Sequence, residues 1–276
     1  MDSIVVLIGI GFFIGTFGTL IGAGGGFLLV PLLLLTNPEL PPEIVTAISI
    51  AIVAVNAISG SIAYARSGRI DYKAGWIFAL FTIPGSILGV LVTQYIPKQF
   101  FNVLFGLLLL SLAVFLLLRA RQRTVITKQD HALTGGWRQH TVRDRNGGIF
   151  TYTYNQHYGI IVSILVGFLS PILGIGGGII HVPAMVQWLQ FPVYIATATS
   201  HFILAIMSSV SVIVHMINGN YKDPNVLKMV IGLSVGVIPG AQLGAYMSHK
   251  INTRAIISLL AVCLGLVGLR ILIKGI

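Results

Sequence analysis

The chain has 276 residues, 55% of them hydrophobic and 9% charged, with a net charge of +10 and a mean hydropathy of +0.93. A soluble domain carries roughly 25% charged residues, so a water-facing globule is excluded and the composition is that of an integral membrane protein. The basic excess would suggest nucleic acid in a soluble protein; here it reads as the positive-inside bias of membrane chains, and no nucleic-acid partner is expected.

The first apolar run is Ile4–Leu35. It lacks the basic start of a secretory signal and continues past the length of one, so it is expected to remain as a membrane segment. Its second half reads TLIGAGGGFLLVPLLLL, where Gly22, Gly24, Gly25, Gly26 and Pro31 interrupt an otherwise apolar stretch. Ile44–Ala65, Ala74–Ile96 and Phe100–Leu118 follow, each near the ~20 residues that cross a hydrocarbon core. The chain then turns polar from Arg119 to His157, and seven of its seventeen Lys and Arg residues fall between Arg119 and Arg145. Within it, HTVRDRNGGIFTYTYN is centred on Asn146-Gly147 and followed by β-prone residues. This predicts a β-hairpin outside the membrane, on the cytoplasmic side by its charge. Tyr158–Leu189 repeats the broken run as PILGIGGGIIHVPAMV, and Val193–Ile217, Val226–Met247 and Ala255–Ile273 complete the chain.

The two parts share one register. Gly15, Gly22, Gly24, Gly25, Gly26 and Pro31 recur as Gly167, Gly174, Gly176, Gly177, Gly178 and Pro183. Thr46-Ala47-Ile48-Ser49 recurs as Thr197-Ala198-Thr199-Ser200, and Pro84-Gly85 as Pro239-Gly240. The chain therefore reads as an internal duplication. Residues 1–119 form the first membrane repeat, 120–157 a basic cytoplasmic linker with the hairpin, and 158–276 the second membrane repeat. The expected fold is an all-α polytopic membrane protein of about eight transmembrane helices, the first of each half broken at its glycines. The simplest arrangement sets the halves parallel, with both termini on the linker's side. Folding each long run back at its glycines gives five passes per half and inverted repeats instead; transporters use both kinds of repeat.

A glycine costs a helix interior about 1 kcal/mol relative to alanine. In lipid, the backbone groups freed by a break are tolerated only inside protein or along a watery cavity. Close helix packing through small residues is one use for them, but it favours glycines four apart, whereas Gly24-Gly25-Gly26 spread around the helix. The other use is to expose the N-terminus of a half-helix beginning at Phe27 and at Ile179. Its N–H groups and positive dipole end make an anion site at membrane depth. The spacing fits no dinucleotide fingerprint, since Phe27 stands where a third glycine belongs, and no P-loop.

All seven acidic residues fall in termini or loops, which argues against a cation path. The candidate substrate-binding residues are Gly24, Gly25, Gly26, Phe27 and Ser49 in the first half, and Gly176, Gly177, Gly178, Ile179, His181, Ser200 and His201 in the second. The repeat makes Ser49 and Ser200 equivalent. His181 lies in the first turn after the glycines; His201 follows Ser200, and a histidine can bind an anion or relay a proton. His215, near a span end, and the single Cys263 show no metal-site spacing to them. No catalytic residue, metal or cofactor is expected, and the chain is not read as an enzyme.

The duplicated IGAGGGFLLVPLLL and LGIGGGIIHVPAMV, each followed by a Thr-Ala-x-Ser helix, resemble the sulfite exporter TauE/SafE family of bacterial membrane transporters across both membrane halves. The resemblance implies movement of small sulfur-containing or organic anions, such as sulfite or sulfoacetate, across the cytoplasmic (inner) membrane. The partners then expected are a small anionic substrate and the lipid bilayer, with homo-oligomerisation left open. A passive anion channel of the same architecture is the alternative to a secondary transporter, and a scaffold docking through the linker is a further reading.

Overall fold

The computed structural model describes residues 3–121, 135–145, 147–248, 261 and 264–273. The elements are α1 (Ile4–Ile21), α2 (Gly26–Thr36), α3 (Pro42–Arg66), α4 (Tyr72–Thr93), α5 (Lys98–Arg121), β1 (Trp137–Arg143), β2 (Ile149–Asn155), α6 (Gln156–Leu173), α7 (Gly178–Gln187), α8 (Val193–Ile217) and α9 (Pro224–Met247). A short apolar helix, α10 (Leu264–Ile273), follows. Asn146, Cys263 and the start of the last expected span lie outside the described residues. Among those described, seven helices are long and apolar enough to cross a membrane, namely α1, α3, α4, α5 over Lys98–Phe115, α6, α8 and α9. Phe13, Trp76, Leu80, Leu107, Ile217 and Leu266 stand exposed on the outside, a surface that calls for a bilayer. The protein is an all-α, multi-pass membrane protein.

Local chemistry sets the ends of these helices. α1 stops where Gly22 adopts φ +84°, and α6 stops at Gly174 with φ +66°. Asp71 and Asp223 cap α4 and α9 by accepting from the N–H of Ala74 and of Asn225. The expected hairpin is present: β1 and β2 pair antiparallel, with Trp137 opposite Asn155 and Arg143 opposite Ile149. The ribbon docks on the α3–α4 loop. Both Tyr152 OH and His140 Nδ1 lie 2.6 Å from Asp71 Oδ2, the tyrosine donating. Burial, and then the Asp71 carboxylate, push the Tyr152 phenol well above its ordinary pKa.

Running directions follow from which residues touch. Along α1 and α9, Gly11 lies against Leu233, Gly15 against Val237 and Gly244 against Leu20, so the two helices are parallel. Along α4 and α6, Gly159 lies against Phe78, Gly167 against Thr82 and Gly89 against Pro171, again parallel. The first helix of each half thus packs on the other half, through glycines about four apart and distinct from those of the breaks. α3 and α8, equivalent by the repeat, run oppositely: Tyr64 clusters with Ala198, Gly60 meets His201, and Val53 clusters with Leu204 and Met207. α5 and α10 are antiparallel too, with Gly106 on Leu272 and Gly265 facing Ala113.

Equivalent helices that run oppositely make the halves inverted, related by a two-fold axis lying across the helices. α3 runs with α9, since Ser59 Oγ donates to Ile238 O and Tyr64 clusters with Ala245. Hence α1 and α3 point the same way, and α2 must return between them. The long runs fold back at their glycines. The eleven residues of α2 span about 16 Å, roughly half a ~30 Å hydrocarbon core.

The simpler arrangement, parallel halves with both termini beside the linker, is therefore corrected. Ile4 packs near Gly232 in the first part of α9. That end of the bundle also holds Tyr221 OH on Ala47 O and the Lys98 ammonium on Pro38 O. The ribbon sits at the other end, where Arg145 N–H donates to Ser67 O. The fold-back at the glycines, the alternative open in the sequence, is the arrangement that these contacts select.

Candidate functional site

The two breaks cross at the middle of the bundle. The Cα of Gly26, which opens α2, lies against the carbonyl of Gly174 and against Ile175; Gly178, which opens α7, lies against the carbonyl of Gly22 and against Ala23. A side chain at either position would collide with the opposing backbone. Gly24 and Gly176, at φ +81° and +66°, both rest on Val53 near the midpoint of α3. The N-termini of α2 and α7 therefore meet at one place, and their positive dipole ends add there. The N-caps, Gly25 and Gly177, have no side chain to accept from the first-turn N–H groups. The breaks are not identical: Gly25 adopts φ +88°, Gly177 φ −54°.

Ser49 and Ser200 meet different surroundings. Ser49 Oγ donates to Gly174 O at 2.5 Å, so it ties α3 to the end of α6. Ser200 holds the equivalent place on α8, whose Thr197 methyl touches Gly22, but its buried Oγ has no hydrogen-bond partner among the described residues.

A polar cluster adjoins the first break. Thr19 Oγ1 donates to Asn56 Oδ1 at 2.8 Å, and Tyr64 OH donates to Thr19 O at 3.0 Å. The His201 ring stands edge-on to Tyr64 with centroids 5.4 Å apart, in space left by Gly60. A Cβ on Gly18 would sit 2.6 Å from Gly25 N and 2.9 Å from Asn56 Nδ2, so glycine there lets two donors converge. Asn56 Nδ2 and His201 Nε2, like Ser200 Oγ, are buried without a hydrogen-bond partner among the described residues. An unsatisfied buried polar group costs about 1–3 kcal/mol, and three beside one break mark a place suited to a polar ligand. His201 Nδ1 lies 3.3 Å from Thr197 O. With its proton on Nδ1, Nε2 accepts when the ring is neutral and donates when it is charged.

His181 is not brought to this cluster. It faces α6 and α4, with Nε2 3.3 Å from Ser163 Oγ and its ring near Phe78. Phe27 and Ile179 are core side chains, so only their main-chain N–H groups are available at the crossing. His215 is buried under the α8–α9 turn, 2.8 Å from Asn220. Among the described residues no three of His, Cys, Asp and Glu gather to hold a metal ion. Thr19, Asn56 and Tyr64 were not among the sequence candidates. Their equivalents are Pro171, Met207 and His215, so a search for features shared by both halves passes over them.

A polytopic bundle of inverted repeats whose discontinuous helices meet at mid-depth has the architecture of a membrane transporter. The family model described as sulfite exporter TauE/SafE matches residues 7–271, and the chain belongs to that family. It is 33% identical to the probable membrane transporter protein YunE of Bacillus subtilis over 99% of both chains. It is 30% identical to a probable membrane transporter protein of Xylella fastidiosa, over 91% of this chain and 87% of that one. Identity to the probable membrane transporter protein MJ0441 of Methanocaldococcus jannaschii is 26%, over 97% and 95%. No solved structure matches.

Proposed function

We propose that this membrane transporter is a secondary exporter of a small sulfur-containing anion, sulfite or an organosulfonate, in a bacterial cytoplasmic membrane. The anion binds where the breaks cross, between the N–H groups that open α2 and α7, and Asn56, Ser200 and His201 complete its shell. The observation that carries this reading is the set of three unpartnered buried polar groups beside two converging helix N-termini. The ribbon end holds Arg66, Arg69, Lys73, Arg138, Arg143 and Arg145, against Lys98 and Lys222 at the other; this Lys/Arg bias supports a cytoplasmic ribbon. A singly charged anion leaving a negative-inside cell gains about 2.3 kcal/mol per 100 mV, so export needs no nucleotide.

Thermal unfolding of the purified protein with sulfite, sulfate, thiosulfate, sulfoacetate and zwitterionic taurine tests the reading, because ligand bound to the native state raises stability by mass action. A selective rise with sulfur oxyanions that Ser200→Ala removes is expected. No rise with any anion overturns the proposal.

A further inference from the structure

A cavity of about 350 Å³ lies at the ribbon end of α3 and α9, with Tyr64, Arg66, Arg69 and Gln242 in its wall. Tyr64 belongs to both the cavity and the central cluster, since its hydroxyl bonds Thr19 and its ring meets His201. The cavity therefore abuts the first break from the ribbon side. Gln242 Nε2 donates to Ser59 O at 2.7 Å and closes the seam between α3 and α9.

Arg69 is the unusual member of this wall. It is 9% exposed, and its Nε is buried with no hydrogen-bond partner among the described residues. Its nearest carboxylate oxygen, Asp144 Oδ2, stands 3.8 Å from Nη2, beyond hydrogen-bond length. Asp144 is held there by the ribbon: its Oδ1 accepts from Gly148 N at 2.7 Å, and the neighbouring Arg145 N–H is anchored on Ser67 O. The other carboxylate of this region, Asp71, is taken by His140 and Tyr152. A buried guanidinium ordinarily spends its planar donors on oxygens at close range. Here a carboxylate balances the charge from a distance and leaves Nε–H unpaired among the described residues. Arg66, exposed at the mouth, adds a second positive charge.

We infer that this cavity is an anion-binding vestibule of the transport path. Arg69 receives the oxyanion there, and Asp144 of the ribbon is a built-in competing anion that the substrate displaces. The fork of the guanidinium matches two oxygens of a sulfite or sulfonate group. Asp144 keeps that grip weak enough for the anion to move on past Tyr64. The inference rests on the transporter reading and names a second site for it.

Calorimetric titration of sulfite into the purified full-length protein, at low and at high ionic strength, tests this. Asp144→Asn is expected to bind roughly tenfold more tightly than the parent and Arg69→Gln roughly tenfold more weakly, with Arg69→Lys between the parent and Arg69→Gln. The salt sensitivity of the parent should shrink in Arg69→Gln. A gain of affinity in Asp144→Asn cannot come from misfolding. If Asp144→Asn and Arg69→Gln both match the parent while Ser200→Ala abolishes binding, the vestibule is overturned and the central site stands. If neither the parent nor Asp144→Asn binds sulfite, both readings fall.

Discussion

At the scale of single residues, the duplicated serines carry a lesson about symmetry. Ser49 satisfies the Gly174 carbonyl where α6 ends, whereas Ser200 is buried and has no partner among the described residues. Ser49→Ala should lower unfolding stability in detergent by about 1–3 kcal/mol, because a buried carbonyl loses its donor. Ser200→Ala should change stability much less and remove the anion-induced rise. Equal stability losses in the two variants would show that both serines are structural. The pair was legible in the sequence because both halves keep it. Asn56 and Thr19 were not, since Met207 and Pro171 replace them in the second half and a side chain's partner across the bundle leaves no mark on its own segment. Similarly, His181 follows the glycines in the chain, yet its helix turns it onto Ser163.

At the scale of elements, the glycine breaks and the hairpin were legible because each depends on local backbone demands: positive φ at Gly22, Gly24, Gly174 and Gly176, and a turn at Gly147 with φ +85°. What the ribbon docks against was not. It folds onto Asp71, itself the cap of α4, so one carboxylate serves a helix end and a loop contact. Because the Tyr152 pKa is raised in the folded protein, the unfolded phenol ionises first as pH climbs. The stabilisation is thus intact below about pH 10 and fades as pH rises above that ordinary phenol value. The unfolding temperature should fall above pH 10, and fall less steeply in Tyr152→Phe; buried Tyr154, also raised by burial, accounts for part of the remainder. Identical alkaline slopes in parent and variant would remove the Tyr152–Asp71 bond from the account.

At the scale of the whole molecule, the inverted arrangement puts both α1's start and α10's end opposite the ribbon. With Cys263→Ala as background, a membrane-impermeant thiol reagent on intact cells should label Glu39→Cys, and should label Thr151→Cys only after permeabilisation. Both residues are exposed, so access is decided by the membrane alone. Labelling of both in intact cells would contradict opposite sides. By itself the sequence determined a membrane protein, a duplication, two broken helices and a family, because composition, register and backbone tolerance are written residue by residue. Only the tertiary structure decided that the halves are inverted and interlocked, that α2 and α7 turn back, and that Asn56, Ser200 and His201 gather beside the first break. Those outcomes depend on which glycine faces meet across the bundle, where Gly26 lies on Gly174 and Gly178 on Gly22. Contacts between segments distant in the chain arise from packing the whole, and no single run of residues specifies them.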